Sequence, residues 1–238
     1  MTKVKKILIS FLIPLLSFNL LAQSNPFEST YEPLPSINVL IKNANIYDGE
    51  GNEFQQTDLL IQNRKIMAIG KDLPVSDDFQ VIDASQKWVT PGIIDIHSHM
   101  GVYPAPGVRT SSDGNEATSP VTADVWAEHS MWVQDPQYTL ALSGGVTAFH
   151  VLPGSANLIG GRGVTVKNLQ RNTINSMKFP DAPHSLKMAC GENPKRVYGN
   201  RQQAPSTRMG NIAGYRKAWI EAEGYLNRLN EYESKSEE

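Results

Sequence analysis

The sequence predicts an α/β fold in which a small β-rich region precedes a series of βα units. Between residues 37 and 90, short runs rich in β-branched residues alternate with Gly, Asn and Asp turns, which is typical of a small antiparallel sheet. After residue 90, apolar runs of the kind buried in parallel sheets alternate with helical stretches. That alternation is the order expected of βα units.

Composition and charge exclude some classes of protein. The 238 residues are 40% hydrophobic and 19% charged, as in an ordinary globular protein, so a disordered chain is a poor interpretation. A formal net charge of −2 at pH 7 gives no electrostatic basis for nucleic-acid binding. The single cysteine, Cys190, excludes an internal disulfide, and we interpret it as a small buried hydrophobic residue.

The N-terminus has the layout of a secretory signal peptide. Lys3, Lys5 and Lys6 precede an apolar run over residues 7–21, and small residues at 22 and 24 offer a cleavage site. The run is shorter than the roughly 20 apolar residues of a membrane-spanning helix. We therefore predict a signal peptide over 1–24, a secreted or periplasmic protein, and no stable membrane anchor after cleavage. A proline-containing linker over 25–36 follows.

The motif that carries chemistry is Asp95-Ile96-His97-Ser98-His99. It ends an apolar, β-branched run, and side chains two residues apart on a strand point to the same side. His97 and His99 can therefore face one cavity, and imidazole is a good ligand for zinc and similar divalent ions. A long loop rich in Gly, Pro and Ser follows over 100–122, as at the active-site end of βα-barrel strands. The pattern predicts a divalent metal site.

Four segments together resemble the start of the amidohydrolase superfamily. They are 43–49 (NANIYDG), 61–70 (IQNRKIMAIG), 82–84 (IDA) and 89–99 (VTPGIIDIHSH), with looser similarity at 144–147 (GGVT) and 191–196 (GENPKR). The nearest likeness is to imidazolonepropionase-like and related secreted metal-dependent amidohydrolases. The resemblance implies an incomplete, distorted (β/α)8 TIM-like barrel over 91–238 beside a small N-terminal β-sandwich portion over 37–90.

The same resemblance implies a function. Such proteins bind one or two divalent metal ions, for which we expect zinc, and the first-strand histidine pair of the family corresponds to His97 and His99. The metal makes hydroxide available near neutral pH and polarises a carbonyl, so the expected reaction is hydrolysis of a carbon–nitrogen bond. The expected substrates are small-molecule amides, dipeptides or cyclic amides.

A carboxylate ligand from a middle strand of the barrel is also implied, and two residues compete for that role. Glu192 follows the apolar run 186–189 and is our choice, because metal ligands sit at the ends of barrel strands. Lys187 is the alternative, since some family members use a carboxylated lysine. The two lie five positions apart, so a regular strand would not point both inward. Glu192 as an ordinary helix-start or loop carboxylate also stays open.

Three further side chains are expected near the metal, either orienting its ligands or contacting substrate. Asp95 shares a strand face with His97, although it would equally satisfy nearby backbone donors. His150 ends the second apolar strand, where an ordinary hydrogen-bonded histidine is an equal alternative. Arg162 lies in the glycine-rich segment 153–163, which we otherwise interpret as a flexible connector bordering the pocket.

The predicted barrel is short. A complete one takes about 250 residues, whereas 91–238 comprises 148 and contains three clear strands. No histidine follows His184, so the later ligands and the general base are expected beyond residue 238. We expect a fragment, or a barrel half completed by another polypeptide, that is inactive alone. The alternative is a non-catalytic secreted protein that keeps this half as a binding or structural module.

Overall fold

The computed structural model describes residues 26–74 and 76–236. The predicted signal peptide and residue 25 of the linker lie outside them. Nine strands and three α-helices are present in this part of the chain, and the strands form two sheets.

The first sheet has five strands arranged around a long central one. β1 (Val39–Tyr47) pairs antiparallel with β2 (Glu53–Gln62), which pairs antiparallel with β3 (Lys65–Gly70). β4 (Gln80–Asp83) and β5 (Trp88–Val89) pair with β1 in parallel. The sheet is therefore mixed, and the expectation of an antiparallel sheet was wrong. The reason is that β3 and β4, although consecutive along the chain, lie at opposite ends of the order β3-β2-β1-β4.

A two-residue turn fixes the hairpin of β2 and β3. Asn63 and Arg64 both have positive φ angles, 51° and 62°, as a type I′ turn requires. The core of this sheet is small and is built from Ala44, Ile46, Leu59 and Ala84.

The second sheet has the order β6-β7-β8-β9. β6 (Ile93–Ser98) and β7 (Val146–Val151) are parallel, as predicted for βα units. β8 (Ile159–Lys167) runs antiparallel to both of its neighbours, β7 and β9 (Ser185–Met188). The predicted glycine-rich connector 153–163 is thus partly strand. Because β8 reverses the chain, β9 returns to the direction of β6 and β7.

The core under this sheet is continuous with the long loop after β6. Phe149, Val151, Val164 and Val166 are buried together with Val102 from that loop. Tyr138, from α1 (Gln137–Ser143), and Met177 complete the cluster. Two 3₁₀ turns, Arg109–Ser111 and Ala127–Ser130, shape the loop and its continuation.

β6 is less buried than its sequence suggests. Ile94 and Ile96 are 64% and 78% exposed, although their pattern predicted a strand covered on both faces. β6 lies at the edge of the sheet, and β7 is its only strand partner among residues 26–74 and 76–236. An apolar edge of this kind is a surface that pairs readily with other chains.

The remaining elements are helical. α2 (Glu192–Gly199) lies between β9 and the long helix α3 (Arg208–Ser236). Cys190, between β9 and α2, is exposed, so the prediction of a buried cysteine was wrong. Within the part of the chain that the structure describes, no helix combines the length and apolarity needed to cross a membrane.

Candidate metal centre

The two histidines of the D-I-H-S-H motif lie side by side at the end of β6. His97 is the penultimate residue of the strand and His99 is the first residue after it. Their ring centroids are 5.1 Å apart and their planes are nearly perpendicular, at 81°. The two rings therefore lie close together, as the strand alternation predicted, even though His99 lies just beyond the end of the strand.

A hydrogen bond to the neighbouring strand fixes the ring of His99. Its Nδ1 lies 2.8 Å from the carbonyl oxygen of Leu152, immediately after β7. Because a carbonyl only accepts, the proton must be on Nδ1, which leaves the lone pair on Nε2 free. This is the arrangement that metal-binding histidines adopt, with one nitrogen held by the protein and the other available to the ion.

Lys187 on β9 completes the cluster. Its side chain is buried, with the residue 8% exposed, and its Nζ lies 3.4 Å from Nε2 of His97. Burial lowers the pKa of Lys187 from its ordinary value. Among the described residues no carboxylate forms an ion pair with it.

His97 responds to this neighbour. The charge of Lys187 is the largest influence lowering the pKa of His97, followed by burial and by His99, whereas Asp95 raises it. The site therefore favours a neutral imidazole, the form in which histidine binds metals.

The structure places Lys187, rather than the favoured Glu192, next to His97. Glu192 is the first residue of α2; its side chain is 77% exposed and its Oε1 lies 3.4 Å from Nε of Arg196. Lys187, which seemed too deep in its strand, is the residue that reaches His97. The reason is that β9 ends at Met188, so residue 192 has already left the sheet.

The three remaining predicted residues make contacts within the protein. Asp95 accepts a hydrogen bond from the backbone N–H of His97 at 3.0 Å, the alternative foreseen for it. His150 contacts the hydroxyls of Thr165 (2.8 Å) and Ser185 (2.6 Å) rather than His97 or His99.

Arg162 also makes a contact within the protein. Its guanidinium stands over the ring of Trp126, 4.4 Å from the centroid. This is a cation–π contact between β8 and the segment that precedes the second 3₁₀ turn.

A cavity of about 490 Å³ lies next to Pro153 and Gly160, and its lining residues do not include His97, His99 or Lys187. The long loop and its continuation line most of it, with Asn115 and Trp126 among the lining side chains, and Pro153 and Gly160 close one wall. A side chain at Gly160 would lie 3.6 Å from Cγ of Lys187, so this wall separates the cavity from Lys187 by little more than one atom layer. The wall at Gly160 thus stands between the cavity and the cluster.

The donors present suit a divalent metal ion, but they are few. Within residues 26–74 and 76–236, no group of three His, Cys, Asp or Glu side chains converges. The cluster instead combines two imidazoles with a buried amine, and one imidazole nitrogen is already oriented by a backbone carbonyl. Two imidazoles and a carboxylated amine would give nitrogen and oxygen ligands of the kind that zinc accepts.

Comparison with known proteins identifies relatives over most of the chain. No family model matches it. It is 34% identical over 219 residues to the amidohydrolase tasK of Hapsidospora irregularis, an alignment that covers 81% of this chain and 22% of that protein. The crystal structure of an amidohydrolase from Thermotoga maritima MSB8 superposes with a TM-score of 0.73 at 39% identity, covering 81% of this chain. The chain is related to the amidohydrolases. The resemblance found in the sequence is thus confirmed.

The relationship extends to shorter matches and has a clear limit. A dihydroorotase from Ligilactobacillus salivarius is 44% identical over 70 residues, 29% of this chain and 15% of that enzyme. The chain spans 49% of the Thermotoga protein, 22% of the Hapsidospora protein and 15% of the dihydroorotase. The shared fold is that of one part of an amidohydrolase, and the described sheet around β6 and β7 belongs to that part.

Proposed function

We propose that this chain supplies the first metal ligands of a hydrolase that cleaves carbon–nitrogen bonds in amides or cyclic amides. The observation that carries the proposal is the meeting of His97, His99 and Lys187 at the ends of two strands that run in the same direction. Relatives named amidohydrolase and dihydroorotase support the bond type. A divalent ion held by these residues would supply an activated water and would polarise the carbonyl of the substrate.

In this proposal the lysine, rather than Glu192, is the third ligand. A free ammonium beside two imidazoles repels a cation, so Lys187 must lose its charge to take part. Addition of CO₂ to the neutral amine forms an N–C bond and releases a proton, which leaves a carbamate whose oxygens are hard anionic ligands. The short reach from Nζ to His97 and the lack of an ion-pair partner in the described structure support this choice.

The residues around the cluster have separate tasks in the proposed reaction. His99, held by the Leu152 carbonyl, presents Nε2 to the ion. The general base and any further ligands are proposed to come from the rest of the barrel, carried either by a continuation of the chain or by another polypeptide.

Labelled bicarbonate tests the ligand assignment. Protein incubated with zinc and ¹³C-bicarbonate should show a carbamate carbon resonance that disappears in Lys187→Arg and persists in Glu192→Gln. Hydrolysis of a simple amide, a dipeptide and dihydroorotate is then measured with the complete barrel. Loss of turnover in His97→Ala and His99→Ala supports the function, and unchanged turnover in both contradicts it.

A second candidate is a non-catalytic binding module. It is favoured by the absence, in the described residues, of a three-member cluster of the usual ligand types. Assaying the 238-residue chain alone with added zinc tests this candidate, since robust hydrolysis by this chain would refute both the module and the need for a second barrel half.

We also propose export of the protein through the N-terminal signal peptide. The basic and apolar pattern of residues 1–24 supports it. N-terminal sequencing of protein recovered outside the cytoplasm should begin near residue 25, and a mature protein that retains residues 1–24 would contradict the assignment.

A further inference from the structure

Asp135 is a buried carboxylate outside the cluster of His97, His99 and Lys187. It was not among the site residues predicted from the sequence. It is 2% exposed, and both of its oxygens accept backbone hydrogen bonds from the loop that follows His99. Oδ2 accepts from the N–H of Gly101 at 2.8 Å, and Oδ1 accepts from the N–H of Ala105 at 3.2 Å. One carboxylate thus binds the two ends of a five-residue turn.

A second side chain reinforces this turn. Gln137, at the start of α1, donates from Nε2 to Asp135 at 3.0 Å and to the carbonyl oxygen of Tyr103 at 2.9 Å. Gly101 adopts a φ of +83°, and a Cβ there would lie 2.1 Å from the hydroxyl of Tyr138. The turn therefore has one closely packed conformation, which depends on the Asp135 carboxylate.

The turn reaches the metal cluster through Tyr103. Its ring packs edge-on against the ring of His99, with centroids 5.7 Å apart, and its N–H donates to the carbonyl oxygen of His99 at 3.0 Å. Asn115, which lines the cavity, donates to the Tyr103 hydroxyl. His99 is consequently held between Leu152 on one strand and a turn whose geometry Asp135 sets.

We propose that Asp135 is a positioning residue for His99: through the 101–105 turn and Tyr103 it holds the His99 imidazole in the orientation that leaves Nε2 open to a metal ion. This proposal deepens the proposed function and rests on it for the identity of the ion, but not for the orientation of the ring. A buried carboxylate that only stabilised the fold would have no effect on the ring nitrogens of His99.

The chain contains a matched control for that distinction. Asp58, in the first sheet, is 3% exposed and accepts one backbone hydrogen bond on each oxygen, from Asn43 at 3.0 Å and Leu73 at 3.2 Å. Asp135 differs in that its Oδ1 accepts a second backbone hydrogen bond, from the N–H of Gln137 at 3.0 Å. In Asp58→Asn, an amide N–H₂ replaces one acceptor and leaves one backbone N–H without a partner, whereas in Asp135→Asn the replaced oxygen loses two donors. Both variants remove one acceptor from a buried carboxylate, and only Asp135 contacts the loop that follows His99.

Two measurements on the 238-residue protein read the result. In metal-free protein, long-range ¹H–¹⁵N spectra of the histidine rings report which nitrogen of His99 carries the proton. The wild type and Asp58→Asn should show the Nδ1–H form, whereas Asp135→Asn should show averaged nitrogen shifts. Zinc affinity by calorimetry should fall about tenfold in Asp135→Asn and stay within about twofold of wild type in Asp58→Asn.

Each outcome separates the inference from the proposed function. Zinc binding by wild type with unchanged His99 spectra and affinity in Asp135→Asn overturns the positioning role and leaves the metal site standing. Averaged His99 shifts without zinc binding by wild type support the positioning role and count against the metal site. If Asp135→Asn does not fold, as judged by circular dichroism, Gln137→Ala replaces it, and an unshifted His99 in that variant also overturns the proposal.

Discussion

Two lysines are buried around the second sheet, and their surroundings differ completely. Lys178 is 3% exposed; its Nζ lies 2.8 Å from Oε1 and 2.7 Å from Oε2 of Glu128, and it also donates to the carbonyl oxygen of Phe27. Lys187 is 8% exposed and faces a histidine instead of a carboxylate. One buried charge is compensated by a carboxylate, whereas no carboxylate in residues 26–74 and 76–236 pairs with the other.

The difference separates stability from function. The Lys178–Glu128 pair joins the segment after β8 to the second 3₁₀ turn. Each charge loses its hydration on folding, and its attraction to the other charge offsets that loss. The environment of Lys187 lowers the free energy of unfolding, because a buried ammonium without a counter-charge is disfavoured. Such an arrangement persists where a site needs it, which is why the unpaired lysine is the better guide to function.

Lys178→Met should give the largest effect on stability. It leaves the Glu128 carboxylate, whose side chain is 1% exposed, without its counter-charge. The free energy of unfolding measured in urea should fall by about 3–5 kcal/mol. Adding Glu128→Leu removes the second charge and should recover part of the loss, whereas a single variant as stable as wild type would show that the pair contributes nothing.

Lys187→Met should have the opposite profile. Removing an uncompensated buried amine should leave the free energy of unfolding unchanged or slightly increased. Zinc affinity should fall by more than about 100-fold, because loss of a direct ligand exceeds the 10–100-fold cost of losing a supporting group. Lys187→Arg, which retains the charge, serves as the control and should also lose zinc; wild-type affinity in either variant would break the comparison.

His150 should make the stability of the protein depend on pH, with a smaller effect than the two lysine substitutions. Burial, and then the neighbouring His184, lower the pKa of His150 below its ordinary value of 6.5. Between that lowered pKa and 6.5 the unfolded chain binds more protons than the folded one, so stability falls as the pH decreases through this window. The urea midpoint measured from about pH 7.5 to about pH 5 should fall less in His150→Gln than in wild type, and parallel curves would contradict the prediction.

Glu192→Gln should have the smallest effect. The carboxylate is largely exposed and pairs with Arg196 one helical turn away, an arrangement that contributes little. The urea midpoint and the zinc affinity should both match wild type. Loss of zinc in this variant alone would restore Glu192 as the ligand that the sequence favoured and would remove Lys187 from the proposed site.

The sequence was informative where chemistry depends on local geometry. The strand alternation at residues 95–99 brought His97 and His99 together, and the strand order β6, β7 followed from apolar runs separated by a helical stretch. The role of Lys187 could not be read in the same way, because it depends on β8 reversing the chain and returning β9 to the direction of β6. No periodicity in the sequence predicts that an antiparallel strand, β8, lies between β7 and β9.

Longer-range contacts were also beyond the sequence. Asp135 meets Gly101 and Ala105 across 34 and 30 positions, and neither residue lies in a recognisable motif with it. The exposure of Ile94 and Ile96 likewise depends on which elements pack against β6, not on the composition of the strand. Local pattern predicted that the two histidines lie together, and tertiary structure was needed for what surrounds them.

A cobalt titration tests the central claim most directly. Co²⁺ added to the metal-free protein should give visible absorption bands typical of nitrogen and oxygen coordination, saturating at one or two ions per chain in wild type. The bands should be lost in the double variant His97→Ala, His99→Ala, and retained in Glu192→Gln. Equal bands in the wild type and the double histidine variant would contradict a metal centre at the end of β6.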